Sequence, residues 1–343
     1  MGNLGRFSAL NTKIKAMSPG LVSRDNYQDL GKLDSERAIA RYLHENTRFK
    51  SVFSLYNIES LKRWEIELII AKEIIVDFNK LRTFLDGDYR RFIDALLLRY
   101  EVRDLKLVLR TLYRKENTKE LRDHMMHDRS KEHIDFDKLL NLTSISEVAG
   151  LVKGSIFEEA FVSIDEDDIS RIEFHMDMVL DAIYFRNLIK STEKMSKEDQ
   201  NIVVDAVGLM IDLLNIQWIY RAKKYHHMLD EELLNYTLLG GNISFKKLKT
   251  LIYSKDFDQD LNQAAADIGF KLEMKDDEYM QVRMYRFFLS SLSKKAKKYP
   301  MTIAPLMYFV NKLEYETRDI ISIIEGVRYG VEDTEKLLVR GGH

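Results

Sequence analysis

One short helical pattern occurs three times in this chain. Glu101-x-x-Asp104-Leu105-x-x-Val108-x-Arg110 returns as Asp212-x-x-Asn215-Ile216-x-x-Ile219-x-Arg221, and again as Glu316-x-x-Asp319-Ile320-x-x-Ile323-x-Glu325. Each copy places an acid and a second acid or amide three residues apart, on one helix face beside an apolar stripe. The register extends upstream: Leu98, Leu209 and Leu313 align, and Tyr100, Ile211 and Tyr315 follow two residues later. A second set keeps the same order. Ile39, Tyr42 and Leu43 correspond to Val148, Leu151 and Val152 and to Leu248, Leu251 and Ile252, each an i, i+3, i+4 triple trailed by Phe49, Phe157 or Phe257. The first two copies also share an acid pair, Glu65/Glu73 and Glu173/Asp181. Self-similarity at a domain-sized period means one supersecondary unit used repeatedly.

The units are helical. Prolines occur only at 19, 300 and 305, so the strongest helix breaker is missing from Gly20 to Tyr299. Runs such as Leu61–Ile70 carry apolar residues at three-and-four spacing, without sustained alternation of period two. Ser144 with Glu147 reads as a capping box, Ser196 as a helix start, and Gly240-Gly241-Asn242 as a break. The expectation is an all-α fold of three homologous domains, residues 1–117, 118–228 and 229–343, with charged junctions near Arg114–His133 and Arg221–Glu232. Three such units can close around a pseudo-threefold axis and leave a central depression, or stack as an open solenoid.

Composition narrows the function classes. With 53 basic against 55 acidic residues the chain has no nucleic-acid footprint, and with no cysteine it has neither disulfides nor thiolate sites. Residues Met1–Met17 lack the apolar core of a secretory signal. The best candidate for a membrane span, Val203–Tyr220, is interrupted by Asp205, Asp212 and Asn215 and reads as a helix buried in protein.

Candidate sites are few. Glu101, Asp104, Arg110, Asp212, Asn215, Arg221, Glu316 and Asp319 form the repeat signature, read as a structural polar seam because buried carboxylates require partners. Arg110, Arg221 and Arg318 are the nearest candidate partners along the chain. Asp123-His124-x-x-His127-Asp128 lacks the glutamate and i, i+4 spacing of a zincin and reads, like His226-His227, as solvated side chains. Gly150-x-x-x-Gly154-Ser155 has neither the length nor the lysine of a phosphate-binding loop. No catalytic residue, metal ligand or cofactor site is expected. Lys294, Lys295, Lys297 and Lys298 read either as a solvated helix end or as a contact for an acidic partner or lipid head groups.

Several segments together are similar to one family. Thr12-Lys13-Ile14-Lys15-Ala16-Met17 with Tyr27-x-x-Leu30, Thr47-x-Phe49, Asp104–Arg110, Asn215–Arg221 and Leu313–Ile320 resemble, in order and spacing, signatures of the C-type subunit of archaeal and bacterial V-type (A-type) ATPases, whose counterpart in the vacuolar enzyme is the d-type subunit. Lys15 stands where that family usually has arginine, and Phe49 where it has tyrosine. The resemblance runs from about Thr12 to Gly330. It implies a three-domain helical funnel, non-catalytic and peripheral on the cytoplasmic face of the membrane. Its cavity would take the tip of the central-shaft subunits (D/F type), and its narrow face would sit on the proteolipid ring, one copy per complex. A helical-repeat adaptor holding a peptide in a concave groove is the competing reading.

Overall fold

A computed structural model describes residues 3–162, 169–226, 228–274, 277–331 and 333–342, with the side chains of 3–4, 169–175 and 226 excluded. His227 and the side chains of Glu173 and His226 therefore lie outside the described residues. The described residues contain α-helices and short 3-10 or π segments and no strand. Six long helices dominate. They form three successive pairs: α5 (Arg63–Arg82) with α6 (Gly87–Tyr113), α9 (Ile169–Lys190) with α10 (Lys197–Arg221), and α14 (Met280–Lys298) with α15 (Ala304–Tyr329).

Shorter helices precede each pair. They are α1 (Asn3–Met17), α2 (Arg24–Leu30), α3 (Glu36–Asn46) and α4 (Lys50–Phe53); α7 (Phe136–Leu139) and α8 (Ile145–Val152); and α11 (Asp230–Asn235), α12 (Phe245–Ile252) and α13 (Phe257–Asp267). The apolar triples fall on α3, α8 and α12, where Ile39, Leu43, Val148, Val152, Leu248, Leu251 and Ile252 are buried and Tyr42 and Leu151 half-buried. Ser144 and Glu147 form the capping box of α8, and the Ser196 side chain accepts from Asp199 N at the start of α10. Such caps satisfy amide donors that a helix start leaves open.

The long helices pack in a cyclic order. The second helix of each pair lies against the first of the next, α6 on α9, α10 on α14, and α15 back on α5. The last contact has a core of its own. Ile320, Ile323, Ile324 and Leu338 from the carboxy-terminal third are buried with Tyr27, Ile39, Leu43, Phe49, Ile66 and Ile70 from the first. An open stack would leave its first and last units apart; here they share a hydrophobic cluster. The helix Lys197–Tyr225 is apolar enough by length and composition to cross a membrane, yet 72% of its apolar 18-residue stretch is buried inside the protein.

At one end the hairpin tips are tied together. Asp199, fully buried, accepts hydrogen bonds from the Tyr89 hydroxyl and from Ile303 N (2.7 Å), so one carboxylate joins the starts of α6, α10 and α15. Helix α1 lies across this end, with the Phe7 ring edge-on to Tyr89 and the Asn11 amide donating to Pro300 O at 2.6 Å. Among the other shorter helices, α3 packs on α15 and α13 on α10.

Candidate partner cavity and the seams around it

The repeat signature does one job in three places: it captures backbone amides of a segment outside its own helix. In the first copy Glu101 accepts from His133 N (2.6 Å), while Asp104 accepts from Met126 N and His127 N at 2.7 and 2.8 Å. In the second, Asp212 accepts from Asn242 N and Ile243 N at 2.8 and 2.9 Å, and Asn215 exchanges two hydrogen bonds with the backbone of Leu238. In the third, Asp319 accepts from Val339 N and Arg340 N at 2.7 and 2.6 Å. Glu316 instead reaches the start of the chain and accepts from Val22 N at 2.6 Å. All six side chains are buried, and each acid answers its desolvation with N–H donors.

Around this common scheme the partners differ. The His127 imidazole sits between Asp104 (2.7 Å) and Glu132 (2.8 Å), and His133 Nδ1 meets Glu101 at 2.7 Å. Burial works against a charged His127, but the two carboxylates outweigh it and its pKa rises; the hydrogen bond to Glu101 raises that of His133. Burial pushes Asp212 upward and Asp319 up to about 6, despite their backbone donors. In the third seam Arg48 joins two buried acids, donating to Glu316 through Nε (2.8 Å) and Nη2 (2.5 Å) and to Asp77 through Nη1 (2.5 Å).

Arg110, Arg221 and Arg318 are not the partners, whereas Arg103, adjacent to Asp104, donates to it at 2.6 Å. Arg110 pairs with Asp177, Arg318 donates to Gln281 and stacks on Tyr285, and Arg221 is exposed. Arg110 and Arg221 follow Asp104 and Asn215 by six residues, which turns them about 240° around the helix axis, and Arg318 is turned about 100° from Asp319. The two imidazoles of the Asp123–Asp128 segment also diverge, His124 stacking on Trp64 at 4.2 Å while His127 joins the seam. Of the paired acids between repeats, Asp181 bonds Lys106 at 2.7 Å and Glu65 caps α5 through Lys62 N. The lysine run ends α14: Lys295 pairs with Asp205, while Lys294, Lys297 and Lys298 are exposed.

A cavity of ≈ 790 Å³ lies between the three helix pairs, and all six long helices contribute to its wall. Equivalent repeat positions meet there. Arg99, Met210 and Glu314, each one residue after the aligned leucines, line it, and so do Arg103, Leu214 and Arg318 one turn later. Arg99 and Glu314 form an ion pair across the junction of the first and third pairs, and the Tyr100 hydroxyl donates to Glu314 at 3.2 Å. The second pair offers methionine and leucine at the same levels, with Asp181 from α9 and Leu68 and Ile74 from α5 also present, so charged and apolar groups share the wall. This wall supplies packing surface and fixed charge, which suits holding a protein segment.

The family model for the ATP synthase (C/AC39) subunit matches residues 10–336. The chain belongs to that family. The C-type subunit of the A-type ATP synthase of Methanosarcina acetivorans is 21% identical over 332 residues, covering 94% of this chain and 89% of its own length. The proteins of the same description from Pyrococcus abyssi and Archaeoglobus fulgidus are 20% and 21% identical, covering 95% and 98% of this chain and 88% and 97% of theirs.

Sequence reasoning located the seam residues and missed the wall. Arg99, Met210 and Glu314 directly follow the aligned leucines, so the repeat register held the signal; their dissimilar chemistry hid it. For Arg48 no comparable signal exists, because its two acceptors, Asp77 and Glu316, lie 29 and 268 residues away along the chain.

Proposed function

We propose that this chain is the C-type subunit of an A/V-type rotary ATP synthase, a non-catalytic central-stalk piece that couples ATP hydrolysis or synthesis to proton or sodium transport. The observation that carries the reading is the cavity lined by all six long helices in a chain matched to an ATP synthase subunit family over nearly its whole length. The cyclic packing of α6 on α9, α10 on α14 and α15 on α5 supports three homologous units, residues 1–117, 118–228 and 229–343, set about a pseudo-threefold axis as a funnel. The cavity receives the tip of the D/F-type shaft subunits, and the end where the hairpin tips meet stands on the proteolipid ring at the cytoplasmic face. The repeat-signature residues hold the socket in shape.

The reason for such a piece is mechanical. Torque passes only through contacts that resist shear, and those depend on a few large buried anchors. Removing this piece therefore uncouples the complex: the head still hydrolyses ATP while ATP-driven ion transport falls to background. The measurement compares both activities in membranes with and without this chain. Normal ATP-driven transport by membranes lacking it would overturn the proposal.

A further inference from the structure

The face at the hairpin tips carries its charge in an unusual form. Exposed lysines cluster at two of the three hairpins, Lys190, Lys194 and Lys197 around the α9–α10 turn and Lys294, Lys297 and Lys298 at the end of α14, whereas Lys80 near the end of α5 is paired with Asp77. The two turns share this face because Asp199 at the start of α10 holds Ile303 N (2.7 Å) and Lys295 pairs with Asp205. Other charges here are neutralised locally. Arg6 lies 3.3 Å from Asp86, Arg91 pairs with Asp88, and Asp205 with Lys295. Glu193 and Glu198 are the exposed acids of the same turns, and the lysines outnumber them. Lysines in the last turn of α14 also offset the negative end of its dipole, a role that does not require three of them exposed.

The type of side chain points to the type of partner. Protein interfaces favour aromatic residues, methionine and arginine and are depleted in lysine, whereas lysines on flexible stems suit a diffuse anionic layer. From this charge complementarity we infer that the hairpin-tip face rests on anionic lipid head groups. This inference depends on the proposed role at a membrane and adds a second, lipid contact beside the protein ring. Near an anionic surface each lysine strengthens binding by about fivefold, screened over about 10 Å at 0.1 M salt.

The test uses the full chain and sedimentation with two sets of vesicles, phosphatidylcholine alone and phosphatidylcholine with phosphatidylglycerol. The expected result is retention on the anionic vesicles only, release at high salt, and at least tenfold weaker binding when Lys194, Lys294, Lys297 and Lys298 are all changed to Gln. A control replaces Lys246, Lys247, Lys249 and Lys255, exposed on and just after α12, and should bind as the parent does. Equal binding by parent and tip variant, or equal loss in both variants, overturns the inference. So does a tip variant that keeps its vesicle binding but no longer assembles with the ring, which assigns the face to an acidic protein. None of these outcomes touches the coupling test, which reads ion transport in the whole complex.

Discussion

The seam between the first two helix pairs and the seam between the last and the first use equivalent signature positions, yet they are built differently. In the first, the chain runs directly from α6 into the loop that Glu101 and Asp104 hold, 22 to 32 residues later. In the last, Glu316 and Val22 are 294 residues apart in sequence and nothing covalent keeps them together. There the seam gains what the other lacks: Arg48 bridging Glu316 and Asp77, Arg340 close to Glu316 (3.4 Å), and Leu338 inside the shared apolar cluster. Where chain connection already limits how far two surfaces separate, a few amide hydrogen bonds, two histidines and the half-exposed Arg103 on Asp104 suffice. Where it does not, the contact must itself outweigh the entropy of keeping the ends together.

The strongest way to break this comparison is Arg48→Ala. Asp77 and Glu316 are 2% and 0% exposed, and stripping their shared cation leaves Asp77 with Lys80 and Glu316 with Val22 N and Arg340, a loss that approaches the roughly 3–5 kcal/mol of a broken buried pair. Urea unfolding would measure the loss, and hydrogen exchange should rise first at Val22 and residues 338–341 while Met126 and His127 stay protected. Uniform exchange across both seams would mean that they do not open separately.

A smaller effect is expected at the middle seam. A Cβ on Gly241 would stand 2.1 Å from Asp212 Oδ1, so Gly241→Ala forces the captured loop away from its acid and should cost about 1–3 kcal/mol. Gly150, in α8 with nothing within 4 Å of the added atom, is the control, and its alanine variant should be neutral or slightly stabilising. Thermal melts of both variants check the pair; equal destabilisation would remove the close approach as the reason for Gly241.

The smallest effect is a difference in pH window. Asp319 has a folded pKa raised from 3.8 to about 6, so its contribution is present below 3.8 and is lost as pH rises through 6. His127 and His133 are raised above 6.5, so theirs is full below 6.5 and is lost as pH rises through the higher folded values. Stability against pH, measured for the parent, Asp319→Asn and His127→Gln, should show the first variant flattening the acid window and the second the near-neutral one. The same window moving in both would mean that the seams titrate as one network.

How much of this was legible beforehand differs by distance along the chain. The triples on α3, α8 and α12 were readable because burial of a helix face leaves an i, i+3, i+4 trace within a few residues. Caps at Ser144 and Ser196 were readable for the same reason, since donor and acceptor lie three residues apart. The seam acids stood out as polar residues on otherwise apolar faces, but their partners did not. Main-chain amides of a distant loop have no side-chain identity to find, and Arg110, Arg221 and Arg318 pointed around the wrong side of the helix while Arg103, next to Asp104, was the one that paired.

The sequence by itself determined the helical class, the threefold repetition and the buried faces of α3, α8 and α12, because these follow from self-similarity, from local periodicity and from the scarcity of proline. The tertiary structure alone decided that the last pair closes on the first, that Arg48 serves Glu316 and Asp77, and that Arg99, Met210 and Glu314 face one another across a cavity. Those facts depend on the angle at which each pair leans on the next, and that angle is fixed by side chains far apart in sequence packing at once.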